Sequence, residues 1–215
     1  MQYSKIKATG SFLPEKVITN TDLSKKIETS DEWIVKRTGI QRRHIISENE
    51  SSATMAIEAC KRALEQSGLS GNDIDMVVGA TTTSNRLFPA VACEVQKALD
   101  IKNGPAFDVQ AACSGFIYGL SIADQYIKSG VCKRVMVVGS EAMSKILDWK
   151  DRSTCVLFGD GAGAVILEAS SEPGIISTHL QADGRYKDAL YVENALNTDE
   201  PYVKMEGNSV FRMAV

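Results

Sequence analysis

Cys113 is the residue of this chain whose type and setting best suit chemistry. It lies in Pro105-Ala-Phe-Asp-Val-Gln-Ala-Ala-Cys-Ser-Gly-Phe-Ile-Tyr-Gly-Leu120. That segment reads as a short buried strand, a tight turn, and a long helix that begins at Cys113 and runs to Gly130. A helix N-terminus leaves backbone N–H groups without intrahelical partners and carries a partial positive charge. A thiol placed there ionises more readily than its free pKa of about 8.5 implies, and the thiolate is the nucleophile. Ala111, Ala112, Ser114 and Gly115 add little bulk around the sulfur, so a large acyl substrate could reach it. The other reading is a small buried core thiol.

The remaining cysteines read as structural. Cys60 and Cys93 fall in helical apolar patterns, Cys132 precedes a strand, and Cys155 sits in strand-like Thr154-Cys-Val-Leu-Phe158. His44 and His179 lie in strand-like stretches without metal spacing. Five cysteines, with no CxxC pair, fit reduced thiols. Gly159-Asp-Gly-Ala-Gly163 hints at a dinucleotide fingerprint, but its third glycine comes one residue early and a strand follows it. A tight hairpin fits it better. No cofactor or metal is therefore expected. The net charge of −3 argues against nucleic acid, and no apolar run approaches a membrane span. A cytoplasmic protein is the default expectation.

The elements that must position Cys113 follow from local patterns. After a first strand over residues 1–10, short helices are expected over residues 20–27 and 30–39, with Asn20 and Ser30 as N-caps and Gly39 as the stop. Ser51 or Ser52 caps the next helix, which ends at Gly68. Asp75–Ala80 reads as a strand buried on both faces, as parallel sheets require. Pro89–Leu99 reads as a helix, and Lys133–Gly139 as another parallel-type strand. The Cys113 helix is apolar nearly all round, so it is expected at the centre. Val156–Phe158 and Ala164–Glu168 form the expected closing hairpin, and a new strand, Ile175–Leu180, opens a second unit. The class is layered α/β.

Three stretches carry a resemblance to a known family: Asp31-Glu-Trp-Ile-Val-Lys-Arg-Thr-Gly-Ile40, Asp108-Val-Gln-Ala-Ala-Cys-Ser-Gly115 and Phe158-Gly-Asp-Gly-Ala-Gly-Ala164. They resemble β-ketoacyl-acyl-carrier-protein synthase III, the thiolase-fold condensing enzyme that starts bacterial fatty acid synthesis. The likeness continues through Ile176–Leu180 and Met205–Phe211. It implies a thiolase-like, layered α-β-α-β-α fold, of which residues 1–174 are the N-terminal half and 175–215 the start of the second. The family's histidine and asparagine would come beyond Val215; Phe211–Val215 looks like a helix just begun, as in a truncated chain.

The resemblance makes Cys113 the acyl-accepting nucleophile. It matches Trp33 and Arg152 to a pair that sandwiches the adenine of coenzyme A, and Arg37, Thr38 and Asn208 to the same tunnel. Trp33 could otherwise be an ordinary half-buried aromatic and Arg152 a solvated charge. Arg37, Arg42 and Arg43 form a basic cluster suited to a phosphorylated ligand, or a solvated face. Position 153 is Ser where some relatives carry Gly. Phe88 matches the residue that ends the acyl pocket across a dimer interface, which would favour a short primer; its other reading is a packed loop anchor.

The implied reaction is a decarboxylating Claisen condensation of acetyl-coenzyme A with malonyl-acyl carrier protein, in a homodimer, needing no metal or redox cofactor. The rivals are a relative using another primer, an acyl- or carrier-binding module without turnover, and a cysteine thioesterase.

Overall fold

The computed structural model describes residues 2–102, 104–207 and 210. Asn208 and the helix start expected at 211–215 lie outside them. The chain forms two compact units, each drawn from three segments: residues 1–14, 47–141 and 161–180 in the first, 15–46, 142–160 and 181–215 in the second.

The first unit is built on five strands: β1 (Tyr3–Phe12), β4 (Met76–Ala80), β5 (Ala106–Val109), β6 (Arg134–Ala142) and β7 (Asp160–Ser170), in the spatial order β1-β7-β6-β4-β5. β4 pairs in parallel with both β5 and β6, and β1 runs antiparallel to β7. Alternation along the strands divides the core between the two sheet faces. Val77, Met136, Val138, Ala164 and Ile166 pack with helices α3 (Ser52–Ser67) and α4 (Val91–Ala98). Met76, Val78, Val135, Val137, Val165 and Leu167 pack with α5 (Gly115–Lys128). The result is an α-β-α sandwich with β4 buried throughout, as both faces being apolar requires.

Several sequence expectations shift in this unit. The helix after the nucleophile begins at Gly115, because Ala112–Ser114 forms a 3₁₀ turn first. One face of α5 is buried, through Gly119, Ala123 and Ile127, while Ile117 (44% exposed) and Tyr126 (37%) face outward. All-round apolar composition marks a helix made to lie between two layers, and the described residues supply one. β5 is half-buried because it is the edge strand. Pro89 lies ahead of α4 rather than inside it, after a cis Phe88–Pro89 peptide. Residues 160–163 turn no hairpin but open β7, pairing Ala162 with Phe12 and Gly163 with Ser11. Ile175–Leu180 forms no strand. Ile175 donates to the Ser4 carbonyl (2.8 Å), and Thr178 Oγ1 instead reaches Ser121 Oγ (3.1 Å).

The second unit contains α1 (Asn20–Ser24), α2 (Asp31–Thr38), α6 (Arg152–Cys155) and two ribbons, β2 (Val17–Thr19) with β3 (Arg42–His44) and β8 (Leu190–Val192) with β9 (Val203–Met205). Leu23, Ile34, Cys155 and Val156 form its core, with Trp33 and Trp149 packed against them. Thr19, not Asn20, caps α1, in a reciprocal capping box with Asp22. Ser30 caps α2 as expected, and Gly39 ends it at φ 72°, the left-handed conformation glycine takes most easily. The expected strand at 154–158 gives way to α6. Asp151 caps it by accepting from the Ser153 N–H (2.8 Å), and local capping outweighs the weak β-propensity of Thr-Cys-Val. Among the described residues no helix is long and apolar enough to cross a membrane.

Candidate active site

The parallel register lines up Ala80, Val109 and Gly139, so β4 and β5 end together while β6 runs on to Ala142. Ligand sites in open α/β sheets form beyond the carboxyl ends of such strands. The chain leaves β5 there and reaches Cys113 in four residues. Ala112, just before it, has φ +45°, a left-handed conformation uncommon for a residue with a Cβ. In the turn, the Ser114 N–H goes to the Ala111 carbonyl (3.1 Å) and the Gly115 N–H to that of Ala112. The Cys113 amide is in neither bond. Gly115 seats the turn against the sheet, since a Cβ there would meet Ala80 Cβ at 3.3 Å.

The five thiols separate by environment. Cys60, Cys132 and Cys155 are buried, and loss of hydration pushes each thiol up, away from thiolate. Cys93 is half-buried and donates to the Ala106 carbonyl (3.4 Å). Cys113 is exposed, which sets aside the buried-thiol alternative.

In the second unit, the shared core holds α2 beside α6, which brings Trp33 and Arg152 together. Arg152 Cζ lies 4.8 Å from the Trp33 ring centroid, and Arg37 Cζ lies 4.3 Å from it. Both distances suit cation–π contact. Arg152 Nη1 also donates to the Glu28 carbonyl (2.9 Å). A purine lying between indole and guanidinium needs about 3.5 Å on each side, so Arg152 must swing outward to admit one. Thr38 is occupied locally: its hydroxyl donates to the Ile34 carbonyl (2.8 Å) and accepts from the Ile40 N–H (3.0 Å).

The expected basic cluster of Arg37, Arg42 and Arg43 is not one surface. Arg43 is buried, donating to Asn20 Oδ1 (2.9 Å) and to the Val156 carbonyl (2.9 Å), and burial lowers its pKa. It holds the second unit together. Gly159 packs on this arginine: a Cβ there would meet Arg43 Cβ at 3.0 Å and the His44 carbonyl at 3.1 Å. Asp160 accepts from the Ile46 N–H and the Ser144 N–H, each at 2.8 Å, so the glycine-rich motif ties loops rather than cradling phosphate.

Phe88 is 83% exposed, in the loop between β4 and α4, beside Leu87 at 76%. It is therefore not the packed loop anchor of the alternative reading. Asn208 falls outside the described residues. Sequence reasoning overlooked Glu141, whose carboxylate gathers Thr82 and Thr83, and left Asp108 without a role. An acidic residue near the carboxyl end of an otherwise apolar strand was the available signal for both. Among the described residues no group of three His, Cys, Asp or Glu side chains could hold a metal.

Residues 107–184, which include Cys113, match the family model of 3-oxoacyl-[acyl-carrier-protein] synthase III. The whole chain is 52% identical to the beta-ketoacyl-[acyl-carrier-protein] synthase III of Thioalkalivibrio sulfidiphilus, covering 69% of that protein. Over 99% of its length it is 57% identical to the Salmonella arizonae protein of the same name, covering 68% of it. Among solved structures, 3-oxoacyl-[acyl-carrier-protein] synthase III of Aquifex aeolicus superposes with a TM-score of 0.92 at 47% identity, over 98% of this chain and 67% of that one. The priming beta-ketosynthase of the R1128 polyketide pathway gives 0.94 at 35% identity, over 99% and 66%. The chain thus spans about two thirds of the length of these relatives. With an exposed thiol on the turn after β5 and this likeness along its full length, the chain belongs to the beta-ketoacyl-[acyl-carrier-protein] synthase III family of thiolase-fold condensing enzymes.

Proposed function

We propose that the protein starts fatty acid synthesis by condensing acetyl-coenzyme A with malonyl-acyl carrier protein, in two half-reactions. In the first, Cys113 Sγ, as thiolate, bonds to the acetyl carbonyl carbon. The carbon–sulfur bond to coenzyme A breaks, and the departing coenzyme A thiolate takes up the proton that Cys113 lost on ionising. The Cys113 amide donates to the developing oxyanion in this reading. In the second, malonyl-acyl carrier protein loses carbon dioxide. The electron pair left on its α-carbon attacks the acetyl group, frees the thiolate, and yields 3-oxoacyl-acyl carrier protein. As written, the step balances without metal or redox cofactor.

The observation that carries this reading is Cys113 itself: one exposed thiol, directly after a left-handed Ala112, beyond the carboxyl end of β5. Trp33 and Arg152 take the adenine end of coenzyme A, Arg37 and Thr38 border the same tunnel, and Phe88 ends the acyl pocket. The division after residue 174, with the family's histidine and asparagine in the further third of the relatives' length, belongs to the same proposal. So do a homodimer and a cytoplasmic setting. The 215-residue segment alone is then expected to lack turnover.

The test uses the full-length protein and isotope-labelled acetyl-coenzyme A. Mass should appear on Cys113, and Cys113→Ala should abolish it and lower condensation at least about a thousandfold. Label on another residue, with Cys113 unmodified, sinks the assignment. The likeness to a polyketide priming synthase supports a second reading, in which another acyl-coenzyme A is the primer. A primer panel decides between the two.

A further inference from the structure

The Phe88 loop, between β4 and α4, is held by a carboxylate at each end. At its start, Glu141 Oε1 accepts from the Thr82 N–H (2.7 Å) and the Thr82 hydroxyl (3.0 Å), and Glu141 Oε2 accepts from the Thr83 hydroxyl. The Thr83 carbonyl accepts from Ser52 Oγ (2.8 Å), and the Ser52 carbonyl accepts in turn from Ser140 Oγ (2.7 Å). At the far end, Asp108 Oδ2 accepts from the Val91 N–H (2.7 Å) and Oδ1 from the Ala92 N–H (2.9 Å). Room for Asp108 is built into the sheet: a Cβ on Gly79 would lie 2.2 Å from Oδ1. Hydrogen bonds to a carboxylate are roughly twice as strong as neutral ones. The stretch between the two anchors carries Leu87 and Phe88 fully outward.

Asp108 stands on β5, the strand that leads into Cys113, and Glu141 stands at the end of β6. Both anchors therefore hang from the two strands that flank β4 in one sheet, and that sheet is the base from which Phe88 reaches across the proposed dimer interface. We infer that Asp108 and Glu141 are positioning residues for primer length: they fix where Phe88 stands, and so where an acyl chain must stop. The inference rests on Phe88 ending the acyl pocket, as proposed above. A loop fixed at both ends gives that stop a hard position, and a loosened loop lets the ring give way to further methylenes.

The experiment measures kcat/KM of the full-length protein for acetyl-, butyryl- and hexanoyl-coenzyme A, in wild type, Phe88→Ala, Glu141→Ala, Glu141→Gln and Asp108→Asn. One methylene in an apolar pocket is worth about tenfold or more, so Phe88→Ala should lower the acetyl-to-hexanoyl ratio about tenfold. Glu141→Ala and Asp108→Asn should lower it several-fold in the same direction. Glu141→Gln, which still offers an oxygen to Thr82, should stay nearer wild type. If Phe88→Ala leaves the ratio unchanged, the pocket reading fails, and the specificity role falls with it. If Phe88→Ala relaxes the ratio while the anchor variants lower every primer equally, the pocket reading stands and the anchors are merely structural. Should Glu141→Ala fail to fold, Asp108→Asn decides by the same ratio.

Discussion

Trp33 and its two arginines look ordinary in sequence, and packing in the second unit brings them together. The indole is half-buried against the second unit's core and is fixed by it, while both guanidinium groups are exposed and lie over the ring. A fixed aromatic plane with exposed cations suits a flat, phosphorylated ligand, because stacking and charge act on the same molecule. Trp33→Ala should therefore raise the KM for acetyl-coenzyme A by about two- to thirtyfold, the range that about 0.5–2 kcal/mol of cation–π and stacking energy gives, with kcat nearly unchanged. Steady-state kinetics with coenzyme A and with a pantetheine ester lacking the nucleotide check it. An equal KM increase for both esters would remove the adenine contact from the account. Arg43, a few residues along the chain, is the contrast: the same side chain, buried among neutral acceptors, belongs to folding rather than to recognition.

Among the elements, α3 and α1 expose how local rules meet packing. The buried face of α3 is lined by Ala56, Ala59, Cys60 and Ala63, small enough for β1 to lie almost on the helix backbone. A Cβ on Gly10 would come within 2.1 Å of the Ala59 carbonyl and 2.5 Å of the Ala63 nitrogen. Gly10→Ala must push strand and helix apart, at a cost of about 1–3 kcal/mol, and the denaturant midpoint should fall with little change in slope. An unchanged midpoint would mean that β1 yields freely.

In α1, the Thr19 hydroxyl and then Lys25 hold the Asp22 carboxyl down from 3.8 to about 2. A folded pKa below the unfolded one stabilises the fold above the unfolded value, and that contribution is lost as pH falls from about 4 toward about 2. Asp22→Asn should lower the thermal midpoint near neutrality and flatten its decline across that acid window. Parallel wild-type and variant profiles would exclude the capping box as a source of acid sensitivity.

The chain crosses repeatedly between its two units, and the proposed roles divide between them. Cys113 and Phe88 belong to the first, Trp33, Arg37 and Arg152 to the second. Loss of chemistry and loss of ligand affinity should therefore be separable. In the full-length protein, Cys113→Ala should still bind acetyl-coenzyme A by calorimetry, and Arg152→Ala should still acylate Cys113 at saturating ester. Failure of both functions in either variant would mean that the roles are not divided so. Leu87 and Phe88 add an association prediction, since an exposed apolar pair on a clamped loop suits burial against a second copy. Sedimentation should give a dimer for the full-length protein and a shift toward monomer for Phe88→Asp. A monomeric wild type sinks the homodimer proposal.

The nucleophile's strand–turn–helix setting, the caps at Ser30 and Ser51, the stops at Gly39 and Gly68, and the buried β4 were all legible in sequence. Each depends on neighbours a few residues away, through periodicity, hydroxyl capping or left-handed glycine. What local pattern misjudged was decided by distant partners or by a stronger competing cap. Thr154 and Cys155 became the end of a helix capped by Asp151, residues 160–163 opened a strand that pairs with β1, and Ile175–Leu180 gained no ladder. The two loop anchors were invisible for the same reason. Glu141 meets Thr82 across 59 residues of sequence and Asp108 meets Val91 across 17, distances that sheet order closes and no residue pattern announces.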